Sequence, residues 1–164
     1  MIYIIWALIG NLIIISIDQT TKCLAVKSLA PNGSKGIING VFELKYTQNT
    51  GISWGLFNGS GASLRWVFVA LIITVLTAIY VYFFRMPKTK VHNWIRLSFV
   101  MISGGAVGNL IDRLMHADGH VTDFLYFSMI DFPIFNFADV FVVCGTALLA
   151  VLVLFFLKEG KKDA

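Results

Sequence analysis

The sequence predicts an all-α membrane protein: four transmembrane helices with a small extracytoplasmic β-sheet. Hydrophobic residues make up 57% of the 164 residues and charged residues only 13%, against about 45–50% and about 25% in soluble domains. The apolar residues are also gathered in four blocks with almost no charge, each close to the roughly 17–25 residues that a spanning helix needs. Short alternating patterns between the blocks predict the strands of the sheet.

The four blocks define the helices in chain order. Their uncharged cores are residues 1–17, 66–84, 97–111 and 140–157. The first block lacks a basic start and a small-x-small cleavage site, so it is retained as a helix and not read as a cleaved signal peptide. The third block is short unless it starts near Trp94, an aromatic residue suited to the membrane interface. We expect helices at about 1–24, 64–85, 93–112 and 139–158 within a single integral-membrane domain, 1–164.

Basic residues predict the orientation. They crowd the second connection and the C-terminal tail, at Arg85, Lys88, Lys90, Arg96, Lys158, Lys161 and Lys162. By the positive-inside rule both regions are cytoplasmic, so the segments at about 25–63 and 113–138 face outward. Four lysines oppose this, spread along the outer side at Lys22, Lys27, Lys35 and Lys45.

The outer segments carry the predicted sheet. Pro31–Gly36 is rich in turn formers, and Phe42–Thr47 alternates strictly between apolar and polar residues, which indicates a half-buried strand. Val121–Phe127 has strand-like residue types, and a turn-forming stretch at 58–61 precedes the second helix. We expect these strands to form a small sheet that rests on the membrane surface.

Charge and cysteine content narrow the function classes. The net charge of +4 is better explained by anionic lipids than by nucleic acid, because no basic stripe is interleaved with aromatic residues. Cys23 and Cys144 form neither a CxxC motif nor a disulfide framework, and we interpret both as small apolar filler.

Three spacings place residues on shared helix faces. Asp18 and Lys22 are four apart, which favours an ion pair over a separate functional role. Gly104 and Gly108 have the spacing that lets helices approach closely. Asn109 and the arginine one turn later, Arg113, share a face, where a packing role and a functional role are equally compatible with the sequence.

Two motif matches are poor candidates for catalysis. Gly51–Gly55 fits G-x-S-x-G, but that nucleophile elbow needs a strand-turn-helix in an α/β sheet, and the sequence has no βα alternation. His116 and His120 are four apart without the glutamate of H-E-x-x-H, and Gly119 argues against a helix there. A serine nucleophile and a zinc site are therefore both disfavoured.

Acids at the outer side offer another chemistry. They are Asp112, Asp118, Asp123, Asp131 and Asp139. Two adjacent carboxylates share a proton, so one can activate water while the other polarises a carbonyl. Asp139 stands at the mouth of the last apolar block, where an acid usually has a partner or a task. Spacing alone does not select the pair.

Five motifs follow one another along the chain: Asp18–Lys22, Asn49–Gly55, Gly104–Arg113, Val121–Phe124 and Phe135–Asp139. In these motifs and their order the chain resembles the lipoprotein signal peptidase family, the bacterial signal peptidase II, an aspartic endopeptidase. The resemblance implies removal of signal peptides from prolipoproteins by cleavage before a diacylglyceryl-modified cysteine. It implies catalytic Asp123 and Asp139, and a site built or supported by Asp18, Lys22, Asn49, Gly51, Asn109, Arg113, Asn136 and Ala138.

The resemblance also implies the setting of the enzyme. No cofactor or metal is expected, and the partners are lipid-modified prolipoprotein signal peptides and membrane lipids, with no nucleic acid. We expect a monomer in the bacterial cell (inner) membrane, with cytoplasmic termini and a site near the outer face. Ser53 and Trp54 depart slightly from the family pattern, which more often has a small apolar residue and Phe there.

Two other classes remain as alternatives. A transporter or proton pathway also uses interfacial acids, but it predicts acids near mid-helix and broken helices in paired halves. A non-catalytic four-helix assembly protein would leave the acids replaceable.

Overall fold

Four long helices and a small sheet make up the described part of the chain. The computed structural model describes residues 2–31, 33–51 and 61–156, without the side chains of 61–64. The predicted turn at 58–60, Ser53, Trp54 and the basic tail lie outside these residues. The elements in order are α1 (Ile2–Leu29), β1 (Ser34–Ile38), β2 (Phe42–Asn49), α2 (Gly61–Arg85), α3 (Lys90–Met115), β3 (Val121–Tyr126), a 3₁₀ turn (Ser128–Ile130) and α4 (Phe137–Val151), which continues as a π-helical turn (Leu152–Phe156).

The four helices are long and apolar enough to span a membrane, which confirms the predicted fold class. Five helix ends differ from the expected bounds by two to five residues: α1 ends at 29, α2 begins at 61, α3 runs from 90 to 115 and α4 begins at 137. Two of these differences have a clear local cause. The first helix runs to Leu29 because its last turns pack beneath the sheet, and it ends where the left-handed Gly33 (φ 81°) donates its N–H to the Leu29 carbonyl at 2.7 Å. The third helix begins at Lys90 because the Thr89 hydroxyl accepts the N–H of His92 at 3.3 Å.

Glycines let α3 pack closely between α1 and α4. A Cβ added to Gly104 would lie 2.9 Å from the Ile14 side chain on α1, and one added to Gly105 would collide with the Ala138 carbonyl on α4. Gly145 on α4 is equally tight against Met101 of α3. The predicted small-residue packing is confirmed, and it brings these three helices into close contact.

Three antiparallel strands cover one end of the bundle in the order β1-β2-β3. The predicted strand at 42–47 extends to Asn49, and the strand in the second outer segment is Val121–Tyr126. The turn predicted over Pro31–Gly36 is wrong for its last residues, because Ser34 pairs with Lys45 in β1 and the hairpin turns later, at Gly40 (φ 71°). Buried residues from α1 and β3 form the core between helix and sheet: Ala25, Leu29, Phe124 and Leu125.

Arg96 fastens the opposite end of the bundle. It is buried, and its guanidinium donates to the carbonyls of Met86 at 2.8 Å and Pro87 at 3.0 Å, just after α2. The same group lies 4.4 Å from the Tyr3 ring centroid. Arg96 therefore joins the ends of three helices instead of facing the membrane surface with the other basic residues.

Candidate active site

The two acids singled out by the resemblance line one cleft at the sheet end of the bundle. Asp123 lies on β3 and Asp139 in the first turn of α4. The cleft has a volume of about 260 Å³. The described residues that line it are Asn49, Gly51, Phe68, Leu71, Ile72, Asn109, Arg113, Val121, Asp123, Ile134 and Asp139. A strand and a helix distant in the sequence thus bring two carboxyl groups to one space, as the resemblance implies.

Asp139 is held by the start of its own helix. Asn136 is the N-cap, and its side-chain oxygen accepts the Asp139 N–H at 3.0 Å. In return, Asp139 Oδ2 accepts the Asn136 N–H at 3.1 Å, which completes a capping box. The free N–H groups and dipole of the helix end favour a carboxylate there. The capping box between Asn136 and Asp139 therefore explains how an acid can be accommodated at the start of an apolar helix.

Asp123 is almost fully buried, with 1% of its surface exposed. Asn49 Nδ2 donates to its Oδ2 at 2.9 Å, and Asn136 Nδ2 donates to its Oδ1 at 2.6 Å. Burial, followed by the charge of Asp139, raises the pKa of Asp123 to about 7. This carboxyl group can therefore hold or release a proton near neutral pH.

Two asparagine amides connect the acids. Asn136 Nδ2 lies 3.0 Å from Asn109 Oδ1, and Asn109 Nδ2 donates to Asp139 Oδ1 at 2.8 Å. Asn136 therefore contacts both carboxyl groups, while Asn109 extends the network from α3. A network in which each polar atom has a partner fixes the positions of its members.

A buried ion cluster lies behind this network. Lys22 Nζ is 2.9 Å from Asp18 Oδ2, 3.1 Å from Asp112 Oδ2 and 3.0 Å from Asn109 Oδ1. Asp18 is fully buried, and its Oδ1 accepts the N–H of Ala138 at 3.0 Å. The predicted Asp18–Lys22 ion pair is confirmed, and it also fixes the start of α4 and touches the amide that binds Asp139.

Asp112 and Gln19 belong to this cluster, although sequence reasoning did not assign them to the site. Asp112 Oδ2 accepts the N–H of Thr122 at 2.9 Å, next to Asp123, so it anchors β3 to α3. Gln19 Nε2 lies 3.0 Å from Asp112 Oδ1 and 3.1 Å from Asp18 Oδ2. Gln19 lies within the motif Asp18–Lys22 and Asp112 within Gly104–Arg113, and membership of these motifs was the only indication in the sequence that they belong to the site.

Arg113 holds the backbone on two sides of the cleft. Its NH1 donates to the Gly119 carbonyl at 3.1 Å and its NH2 to the Gly51 carbonyl at 3.3 Å. The guanidinium lies 4.3 Å from the Phe68 ring centroid on α2. From the last turn of α3, Arg113 therefore links the residues that follow β2 to the loop between α3 and β3.

A second, more apolar cleft adjoins Asp139 on the other side. Its volume is about 510 Å³. The described residues that line it are Phe132, Pro133, Ile134, Phe135, Asp139, Val140, Val143 and Cys144. Asp139 and Ile134 border both clefts, so the carboxyl group stands where a polar space meets an apolar one.

The histidines of the α3–β3 loop contact one another and not the clefts. Their rings stack with centroids 3.7 Å apart, and His120 Nδ1 lies 2.7 Å from Asp118 Oδ1. The hydrogen bond from His120 lowers the pKa of the exposed Asp118. Within residues 2–31, 33–51 and 61–156, no group of three or more potential ligands is placed to hold a metal ion.

The sequence comparisons with known proteins agree on one family. The profile described as signal peptidase (SPase) II matches residues 11–155. A lipoprotein signal peptidase of Brevibacillus brevis is 38% identical over 158 residues, 96% of this chain and 99% of the relative. One from Clostridioides difficile is 38% identical over 152 residues, covering 92% and 95%. A solved structure described as a bacterial membrane enzyme superposes with a TM-score of 0.76 at 28% identity, covering 96% of this chain and 91% of that one.

Proposed function

The chain belongs to the signal peptidase II family and removes signal peptides from bacterial prolipoproteins; we propose that it does so as an aspartic endopeptidase with Asp123 and Asp139 as the catalytic pair. One observation carries the proposal: a buried carboxyl group (Asp123) and a half-buried one (Asp139) from separate elements border one cleft, and the same asparagine, Asn136, hydrogen-bonds both. Close carboxyl groups share a proton, which suits one to act as base and the other as acid.

In this mechanism the ionised carboxylate accepts a proton from water while the water oxygen attacks the scissile carbonyl. The protonated partner donates to the carbonyl oxygen. Asn49, Asn109 and Asn136 hold the pair in place, and Asp18, Lys22 and Ala138 support them from behind. Gly51 and Arg113 form the wall of the cleft that would contact the substrate backbone.

The substrate would enter from the membrane. Lys22 lies seven residues before Leu29, the last residue of α1, which is about 10 Å along the helix axis. The ion cluster behind the two acids therefore lies inside the helix bundle and not at the tip of α1. The apolar cleft beside Asp139 supports a substrate that carries a diacylglyceryl group next to its scissile bond. We place the termini in the cytoplasm and the site near the outer face, because the basic connection lies at the end opposite the sheet.

The test is cleavage of a lipid-modified prolipoprotein by purified enzyme, followed by the mobility shift on a gel. Asp123→Asn and Asp139→Asn should each abolish cleavage while the protein still inserts and melts cooperatively, because Asn keeps the volume but not the proton chemistry. The double variant should be hardly worse than either single one, since the two groups act as a unit. Chelators and thiol or serine reagents should leave the wild-type enzyme active.

The matched control is Asp118→Asn, which changes an exposed outer acid in the same way and should remain active. Cleavage near the wild-type rate by either Asp123→Asn or Asp139→Asn would refute the pair. Loss of activity with a chelator and recovery with zinc would refute the aspartic type. An unmodified prolipoprotein as substrate tests the requirement for the lipid.

A further inference from the structure

We propose that Lys22 is a positioning residue that gives the two acids different roles: by fixing the Asn109 amide it keeps Asp139 ionised as the base and leaves the shared proton on Asp123. This inference rests on the aspartic mechanism proposed above. It concerns a residue that is not among the described residues lining the cleft and that is joined to Asp139 through the Asn109 side chain.

The orientation of the Asn109 amide carries the argument. An Asn side chain can present either its oxygen or its NH2 to a neighbour, and only the hydrogen-bond network decides. Lys22 has donors only, so the atom 3.0 Å from its Nζ must be the Asn109 oxygen. The same oxygen accepts from Asn136 Nδ2 at 3.0 Å. The Asn109 NH2 is therefore turned toward Asp139 Oδ1, at 2.8 Å.

This fixed donor distinguishes Asp139 from Asp123. A flipped Asn109 would set its NH2 against an ammonium group and its oxygen against a carboxylate, so both contacts would become repulsive. Asp139 also accepts the Asn136 backbone N–H and lies at a helix N-terminus, and both favour the charged form. Asp123 has no helix end and is the more buried acid. Its pKa, raised to about 7, agrees with its role as the protonated partner.

The charged groups around the pair come from two of the helices packed against it. Helix α1 contributes Asp18 and Lys22, and α3 contributes Asp112 and Arg113. The cluster behind Asn109 contains two carboxylates, each with an oxygen within 3.1 Å of the one ammonium group. Removing Lys22 would leave both carboxylates without their cation, and their negative charge would then oppose the ionisation of Asp139.

The assigned roles give a balanced hydrolysis. Asp139 takes a proton from water as the water oxygen bonds to the carbonyl carbon, and Asp123 gives its proton to the carbonyl oxygen. Asp139 then gives its proton to the leaving nitrogen as the C–N bond breaks. A hydroxyl proton of the intermediate returns to Asp123, which leaves a carboxylic acid and an amine, with both enzyme groups restored.

The test is the pH profile of kcat/KM with a lipid-modified prolipoprotein, whose acid limb reports the base. In Lys22→Met that limb should move to higher pH by about 1 unit, and kcat should fall more than KM rises. In Asp18→Asn, which removes a negative charge from the cluster, the limb should move to lower pH. Lys22→Arg keeps the charge and should restore the wild-type limb.

Opposite shifts support the role of Lys22, and Asp18→Asn decides alone if Lys22→Met does not fold. Wild-type acid limbs in every folded variant would overturn it. That failure is distinct from failure of the catalytic pair. If only the role of Lys22 is wrong, Asp123→Asn and Asp139→Asn are inactive and the acid limb of the pH profile does not move in the Lys22 and Asp18 variants. If the catalytic pair itself is wrong, Asp123→Asn or Asp139→Asn still cleaves the substrate.

Discussion

Burial of Asp123 ties the stability of the protein to pH. An ordinary Asp carboxyl titrates near 3.8, and this one near 7 when folded. Between these values the folded protein holds a proton that the unfolded chain has lost, so raising the pH favours unfolding. The resulting cost is absent below about pH 4, grows as the pH rises and is constant above about pH 7.

Asp123→Asn should remove this dependence. We expect the wild type to lose up to about 4 kcal/mol relative to this variant between about pH 4 and pH 8. The measurement is thermal unfolding of both proteins in detergent micelles across that range. A difference in Tm that stays constant with pH would contradict the raised pKa.

We expect the planar guanidinium group of Arg113 to be required for activity because it holds two carbonyl groups at once. It binds the carbonyls of Gly51 and Gly119 with two different nitrogens, which a lysine cannot reproduce. Arg113→Ala should therefore lower kcat/KM by about tenfold or more, with Arg113→Lys intermediate. The control is Arg85→Ala, an exposed arginine at the far end of α2. Full activity of Arg113→Ala would assign this residue to packing alone.

At this scale the sequence predicted contacts within a helix but not between elements. Asp18 and Lys22 could be paired because an interval of four residues places them on one face. The contact of Lys22 with Asp112 joins α1 to α3, and that of Asn136 with Asp123 joins a helix cap to a strand. Such contacts depend on helix packing and strand register, which the spacing of residues does not specify.

At the scale of elements, the close approach of α1, α3 and α4 positions the buried ion cluster. A Cβ at Gly108 would lie 2.6 Å from Asp18 Oδ2 and 3.3 Å from the Ala138 Cβ. Gly108→Ala should therefore destabilise the protein by roughly 1–3 kcal/mol and also reduce cleavage, because it displaces Asp18 from the start of α4. Thermal unfolding and the gel-shift assay measure the two effects.

The control is Gly36→Ala, which makes the same change in the exposed strand β1, where the new Cβ would meet only Asn39 at 3.4 Å. It should be close to neutral in both assays. If Gly108→Ala were equally neutral, the tight packing at this position would not be required for the site.

The apolar cleft beside α4 should matter for the lipid-modified substrate. Val143 lines this cleft and is 65% exposed, whereas Val151 on the same helix is 47% exposed and is not among the described lining residues. Val143→Trp should raise KM for lipid-modified prolipoprotein several-fold, because the indole fills the cleft, and Val151→Trp should not. Equal KM values for the two variants would remove this cleft from substrate binding.

Element types were predictable where hydropathy is strong and failed where local chemistry decides. The long apolar blocks predicted four spanning helices, since each is close to the length that crosses the hydrocarbon core of a membrane. Strand β1 was missed because Ser34, Lys35 and Gly36 are exposed at a sheet edge and show no apolar alternation. The start of α3 was missed because it depends on a single cap, Thr89.

At the scale of the whole molecule, the surface of the bundle is apolar where lipid should cover it. Only 11% of the most apolar stretch of α2, and the same share in α4, is buried inside the protein. Polar groups gather instead in the shared interior near the sheet, as in the Asp18, Lys22 and Asp112 cluster. This separation suits an enzyme that receives its substrate laterally from the membrane and keeps its charges away from hydrocarbon.

The orientation of this bundle decides which face of the membrane the proposed catalytic pair serves. Arg85 ends α2, Lys88 lies in the connection and Lys90 begins α3, all at the end opposite the sheet, so the positive-inside rule predicts that this end is cytoplasmic. After replacement of Cys23 and Cys144, Ser34→Cys should react in intact cells with a thiol reagent that does not cross membranes. Lys88→Cys should react only after the membrane is opened. Both positions are exposed, so failure to react reports sidedness and not burial, and labelling of both in detergent is the control. If Lys88→Cys reacted in intact cells and Ser34→Cys did not, the bundle would be inverted, and the pair would face the cytoplasm, where the four outer lysines would then satisfy the charge rule instead.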